Sequence, residues 1–209
     1  MRRRIAFSMR RVWLVGLVAL TGVLLVGQEK SGGGNASPAE IDQLLMALTD
    51  INWFHNVRPL NLTAEQVDRL LAAHEKAFKR LEEMVQQEAK ELRNRKDEIL
   101  RVREDASRGK SVPKEFIEAM RQLEQEFIRR RQEFRARIIR EIATELKPRF
   151  TDEQMDYMVK RSQEVLQASK VNTEKLERDQ LFMFFVEHVF LNERTPTLLK
   201  EWKQKNLTR

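Results

Sequence analysis

Leu62-Thr63-Ala64-Glu65-Gln66-Val67 and Phe150-Thr151-Asp152-Glu153-Gln154-Met155 are one six-residue device written twice, 88 residues apart. In each, the Thr hydroxyl can accept from the backbone N–H of the Gln three residues on. That Gln side chain can reach back to the Thr N–H, the reciprocal arrangement of a capping box. Leu62 with Val67, and Phe150 with Met155, stand where a hydrophobic staple would close over each box. Asp68 and Asp156 extend the match by one residue. Capping boxes are common, but two unrelated ones would not need the same staple positions. The chain is therefore read as two equivalent helix starts.

Working outward, the first box opens an apolar stripe at helical spacing: Val67, Leu70, Leu71, His74, Phe78, Leu81, Val85, Ala89, Leu92 and Ile99. The stripe predicts one helix to about Ala106, roughly 60 Å long at ~1.5 Å per residue. Ser107-Arg108-Gly109 ends it. A second long helix starts near Pro113, with Phe116, Met120, Leu123, Phe127, Phe134, Ile138, Ile142 and Leu146 on its face, and stops at Lys147-Pro148-Arg149. A short Gly-containing link between two long helices predicts an antiparallel hairpin, and the alternating spacing of three and four is coiled-coil-like. The second box opens a helix from Asp152 to about Ser169.

Upstream, Ser37-Pro38 reads as an N-cap with Pro at the first helical position. Ile41, Leu44, Leu45, Leu48 and Ile51 follow at helical spacing, and Asn52 to Pro59 reads as a connector. Downstream, Leu176 to Leu191 is apolar on nearly all sides and must be buried against the bundle or a partner. Thr195-Pro196 starts a last short helix carrying Leu198, Leu199 and Trp202.

The N-terminus has its own logic. Residues 1–11 are basic, residues 12–27 form a run without charge, and a polar Ser/Gly/Asn-rich stretch follows. This is the pattern of a secretory signal. At 16 residues the run is shorter than the ~20 of a comfortable membrane span. A cleaved signal and an uncleaved inner-membrane anchor both fit. Either one, with the basic flank kept inside, puts residues 37–209 outside the cytoplasm, periplasmic in a bacterial envelope.

Composition narrows the function. The formal charge is +7, but Arg2, Arg3, Arg4, Arg10 and Arg11 all precede residue 12, and the remainder is nearly balanced. Together with the export pattern, this argues against nucleic acid as a partner. The chain has no Cys, which excludes a disulfide scaffold, a thiolate metal site and a lipid-modified N-terminal cysteine. Gly-rich phosphate loops and Gly-x-Ser-x-Gly are absent, so no catalytic residue is assigned and no enzyme is expected. Glu82, Glu83 and Glu91 lie among bases, as on a solvated helix surface. His55, His74 and His188 are far apart and lack ligand spacing, so no metal site or other cofactor is assigned.

Two L/F-T-x-E-Q boxes bracketing a long helical hairpin, behind an export pattern, resemble the bacterial periplasmic LTxxQ family, which includes the Spy chaperone and the CpxP stress regulator. The resemblance covers about Leu60 to Val165 and rests on Leu62, Thr63, Glu65 and Gln66, and on Phe150, Thr151, Glu153 and Gln154. It implies a Spy-like all-α homodimer. Such a protein would either hold unfolding proteins without ATP on a basic, partly apolar face or tune envelope-stress signalling. Related members bind metals. Phe150 in place of the second Leu, the helix before the first box and the residues from Val171 to Arg209 depart from the family pattern.

The run Arg129 to Arg140 has six Arg and one Glu. Phe127, Arg129, Arg130, Arg131, Phe134, Arg135 and Arg137 are accordingly the candidate client-binding residues, with bases for acidic clients and Phe for apolar contact. The expected organisation is a signal or anchor at 1–27, a linker at 28–37, an N-terminal helix and connector at 38–59, an LTxxQ-type helical domain at 60–169 and a C-terminal helical extension at 170–209. The other reading is a membrane-tethered adaptor whose Phe-rich C-terminal segment docks a specific partner. A periplasmic metal sensor ranks behind both.

Overall fold

The computed structural model describes residues 37–207, and the run at 12–27 lies outside them. The protein is all-helical over that range, with seven α-helices: α1 Pro38–Val57, α2 Ala64–Asn94, α3 Lys96–Ser107, α4 Lys114–Leu146, α5 Asp152–Ala168, α6 Arg178–Phe185 and α7 Thr195–Asn206. Short 3-10 turns at Arg58–Leu60 and Lys147–Arg149 precede the two boxes, each with a Pro near its start. A π-helical turn, Val186–Phe190, continues α6.

Local chemistry accounts for most of the ends. The Ser37 hydroxyl accepts from the Glu40 N–H at 3.2 Å. Gly109 takes φ +83, the left-handed residue that closes α3. Two expected boundaries move. Asn52 to Pro59 is not a connector: α1 runs on to Val57, because Trp53, Asn56 and Val57 are buried and hold the helical turn against the body. The first long helix is divided at Arg95 (φ −104, ψ 8), where the Arg95 N–H bonds back only three residues, to the Leu92 carbonyl at 3.1 Å. Asn94, a weaker helix former than its neighbours, stands immediately before that break.

One core joins distant parts of the chain. Val57, Leu60, Leu62, Val67 and Leu70 share it with Ile138, Ile142, Leu146, Met155 and Met158. Phe182, Phe185, Val186, Phe190, Leu198 and Leu199 from the C-terminal segment complete it. The rings of Phe150, Phe182, Phe185 and Phe190 contact one another at centroid distances of 5.2–6.1 Å. Most of the apolar run at 176–191 is thus interior, and α6 packs chiefly on α5.

Four ion pairs join α2 to α4: Lys76–Glu145, Arg80–Glu141, Glu88–Arg131 and Glu91–Arg130. Numbers rise along α2 as they fall along α4, so the two helices run antiparallel. None of the helices among the described residues is long and apolar enough to cross a membrane.

Candidate functional site: paired capping boxes and an apolar groove

Both boxes form as their sequences predict. Thr63 Oγ1 accepts from Gln66 N at 3.2 Å and Thr63 N donates to Gln66 Oε1 at 2.9 Å. Thr151 and Gln154 repeat this at 3.2 and 3.0 Å. The staple residues Leu62, Val67 and Met155 are buried in the core, with Phe150 packed against it.

The boxes are also paired. Gln66 Nε2 donates to Gln154 Oε1 at 2.9 Å, and Gln154 Nε2 donates to Gln66 Oε1 at 3.2 Å. The second proton of each amide goes to the last carbonyl of the opposite 3-10 turn: Gln66 to Arg149 O and Gln154 to Leu60 O, both at 2.7 Å. Each carboxamide therefore uses both donors and both acceptor positions. The arrangement is a local pseudo-twofold whose halves differ by one residue, Asn61, which fits because Asn tolerates its left-handed conformation (φ 45, ψ 50). Glu65 and Glu153 stay at the exposed helix starts. The Glu153 carboxyl is held below its usual range by its own backbone N–H and by the Thr151 side chain.

The arginine-rich run is largely neutralised. Arg130 grips Glu91 with two hydrogen bonds of 2.6 Å, an arrangement that lowers the Glu91 pKa and raises that of Arg130. Arg131 holds Glu88 at 2.5–3.0 Å, and Glu88 is only 3% exposed. Arg129 pairs with Glu133 at 2.8 Å and Arg135 pairs with Glu187. Arg137 and Arg140 are exposed and lack an ion-pair partner among the described residues. The expectation that Phe127 and Phe134 offer apolar contacts to a client is corrected: both are buried, because their side of α4 faces inward with Leu123 and Ile138. Glu91, expected on a solvated surface, is tied to α4 instead.

A partly apolar groove lies on the next face of α4. Its volume is about 520 Å³, and it runs between α4, α5 and α6. Ile139, Leu166, Leu176, Met183 and Phe184 line it, with Arg135, Arg140 and Glu187 among its charged residues. Arg135 belongs to this groove, whereas Arg137 does not line it. Sequence reasoning missed the groove because its walls come from three separated segments. The only hint was the large apolar residues at 176–191, more than one core face needs.

The three histidines are not brought together. His74 is buried on α2, its Nε2 lies 3.0 Å from the Asn192 carbonyl, and it stacks on Phe78. His188 lies against Phe184, and His55 is exposed on α1. No cluster of three or more His, Asp or Glu suited to a metal ion occurs among the described residues. Comparison with protein-family models, curated proteins and solved structures finds no match for this chain.

Proposed function

We propose that this chain is an exported helical binding protein of the LTxxQ type, an ATP-independent chaperone or envelope-stress regulator of Spy/CpxP kind that works as a homodimer outside the cytoplasm. In this reading α2 to α4 are the family's long helical hairpin and the paired boxes are its clasp. The observation that carries the proposal is the α4–α6 groove. An open apolar floor with guanidinium groups at its edge suits extended, partly unfolded segments that present apolar and acidic side chains. The C-terminal segment supplies one wall, so the residues beyond the family-like region build the binding face instead of covering it.

The test is aggregation of a chemically unfolded client with and without the purified protein, without ATP. Suppression near equimolar ratio is expected. Arg140→Glu, in the groove, should weaken it, whereas Arg137→Glu, the same charge change off the groove, should not. No suppression at several-fold excess would sink the chaperone reading. The adaptor reading gives the docking role to the Phe-rich C-terminal segment, but Phe182, Phe185 and Phe190 of that segment are buried in this chain's own core, which leaves it only the groove-side Met183 and Phe184. Retention of the full chain in the membrane fraction, without client holding, would favour the adaptor.

A further inference from the structure

The first half of α1 stands clear of the body: every residue from Ser37 to Thr49 is exposed. It carries the largest concentration of exposed apolar side chains among the described residues, with Ile41, Leu44, Leu45, Leu48 and Ile51 between 47 and 63% exposed. The helix touches the body through its other side. Trp53, Asn56 and Val57 are buried, and Asp50 bonds Arg194. At about 100° per residue these anchors lie opposite the apolar stripe, which therefore points away from the protein.

We propose that this stripe is the seam of a two-helix coiled coil with α1 of a second copy of the chain. The spacing is that of a heptad: Ile41 and Leu48 at a, Leu44 and Ile51 at d, with Leu45 beside them at e. The order Ile-Leu-Leu-Ile is a palindrome, so like residues meet like whichever way the partner runs. The charges are placed to allow this. Asp42 and Asp50 fall at b and c, off the seam, and only Glu40 borders it. The lack of any Lys or Arg between Ser31 and Val57 disfavours an anionic lipid surface as occupant, which basic helices bind. The sequence at 12–27 has no alternation of apolar and polar positions at heptad spacing, so it offers no matching seam. Burying two such stripes removes on the order of 1,000 Å² in total, the lower bound for a specific interface. Two heptads are short, so the association is concentration-dependent. This inference rests on the homodimer part of the function proposed above and is independent of client holding.

The chain has no Cys, so single cysteines report directly. The full chain in neutral detergent, carrying Leu44→Cys or Leu48→Cys, is oxidised alone and as a mixture. Disulfide-linked dimers are expected at Leu44 or Leu48 alone if the helices are parallel. If they are antiparallel, dimers are expected in the mixture. Gln43→Cys and Thr49→Cys, off the seam, should stay monomeric. Leu44→Ser/Leu48→Ser should abolish the concentration-dependent dimer, with little change in melting temperature in dilute, monomeric protein, because the stripe touches nothing in the body. The idea is overturned by equal cross-linking at all four positions, by a dimer that survives the double Ser variant, or by an intrachain bond from Leu48→Cys to Val18→Cys in place of a dimer. Labelling of Leu48→Cys that is blocked by vesicles but not by protein concentration would likewise overturn it. Client holding is scored separately on the same samples, so loss of one activity is not mistaken for loss of the other.

Discussion

Gln66 and Gln154 exchange two amide hydrogen bonds, 2.9 and 3.2 Å, across 88 residues of chain. Each box would cap its own helix alone. Pairing them ties the start of α2 to the start of α5 and fixes both 3-10 turns by their last carbonyls.

Replacing Gln66 with Ala orphans the Gln154 amide, the Arg149 carbonyl and the Thr63 N–H. Lost partners in partly buried surroundings cost about 1–3 kcal/mol. A loss of ~2 kcal/mol is expected, which lowers the melting temperature by roughly 4–8 °C for a domain of this size. Gln154→Ala should cost a similar amount. Because the two side chains serve each other, the double variant should lose less than the two single losses combined, by at least ~0.5 kcal/mol. Strict additivity in chemical denaturation would mean that the pairing carries no coupling energy.

The Glu88 carboxylate is buried on α2 and its charge is met by Arg131 of α4. Arg131→Ala should destabilise by about 3 kcal/mol, the low end for breaking a buried pair, because the half-exposed guanidinium leaves a path for water. Glu88→Leu in the same chain should restore much of that loss, since an apolar pair removes the uncompensated charge. A double variant as unstable as Arg131→Ala would show that the cost is lost packing, not buried charge. Reversing Arg129, Arg130 and Arg131 together would confront Glu88 and Glu91 with new acids. It would therefore test the fold more than client binding.

The features legible in the sequence are those set by neighbours three or four residues apart. Thr63–Gln66, Thr151–Gln154, Ser37 and Gly109 announce helix ends because their partners are local. The Gln66–Gln154 exchange was invisible: each Gln already had a role in its own box, and nothing local says that one carboxamide serves two. Phe127 and Phe134 were misread as outward-facing because the surrounding bases suggested an exposed surface, whereas arginine stems can flank a buried stripe while their charged ends reach water or acids. Glu88 was overlooked among similar acids. Only its partner on α4 distinguishes it.

His74 supplies a pH dependence. Burial lowers its pKa, partly opposed by the hydrogen bond with the Asn192 carbonyl. The folded protein therefore keeps the ring neutral while the unfolded chain protonates near its ordinary value of about 6.5. Stability from this group is present above that pH and is lost as pH falls below it towards the folded pKa. His74→Gln keeps an N–H for Asn192 and removes the titration, so the fall in melting temperature between pH 7 and pH 5 should become shallower. His188, also lowered chiefly by burial, acts in the same direction, so part of the slope remains. An unchanged slope would show that the His74 ring is protonated without cost in the folded state.

Trp53 is the hinge between the body and the exposed arm of α1. Its indole N–H is shared between the Val189 carbonyl and Thr195 Oγ1, each at 3.0 Å, and Thr195 in turn donates to Val189 at 2.7 Å. Removing the ring empties a buried site and strands the Thr195 acceptor, so Trp53→Ala should cost about 3–5 kcal/mol. Leu48→Ala, five residues earlier on the exposed side, should change stability by less than ~0.5 kcal/mol in dilute protein. Limited proteolysis separates the two effects. Cleavage within α1 should speed up in Trp53→Ala, because the helix loses its anchor. In Leu48→Ala it should stay at the native rate when the protein is dilute. At high concentration the native chain alone should become protected, because the seam is then covered by a second copy. A Leu48→Ala arm cleaved faster than native in dilute solution would mean that the stripe is already packed against its own chain.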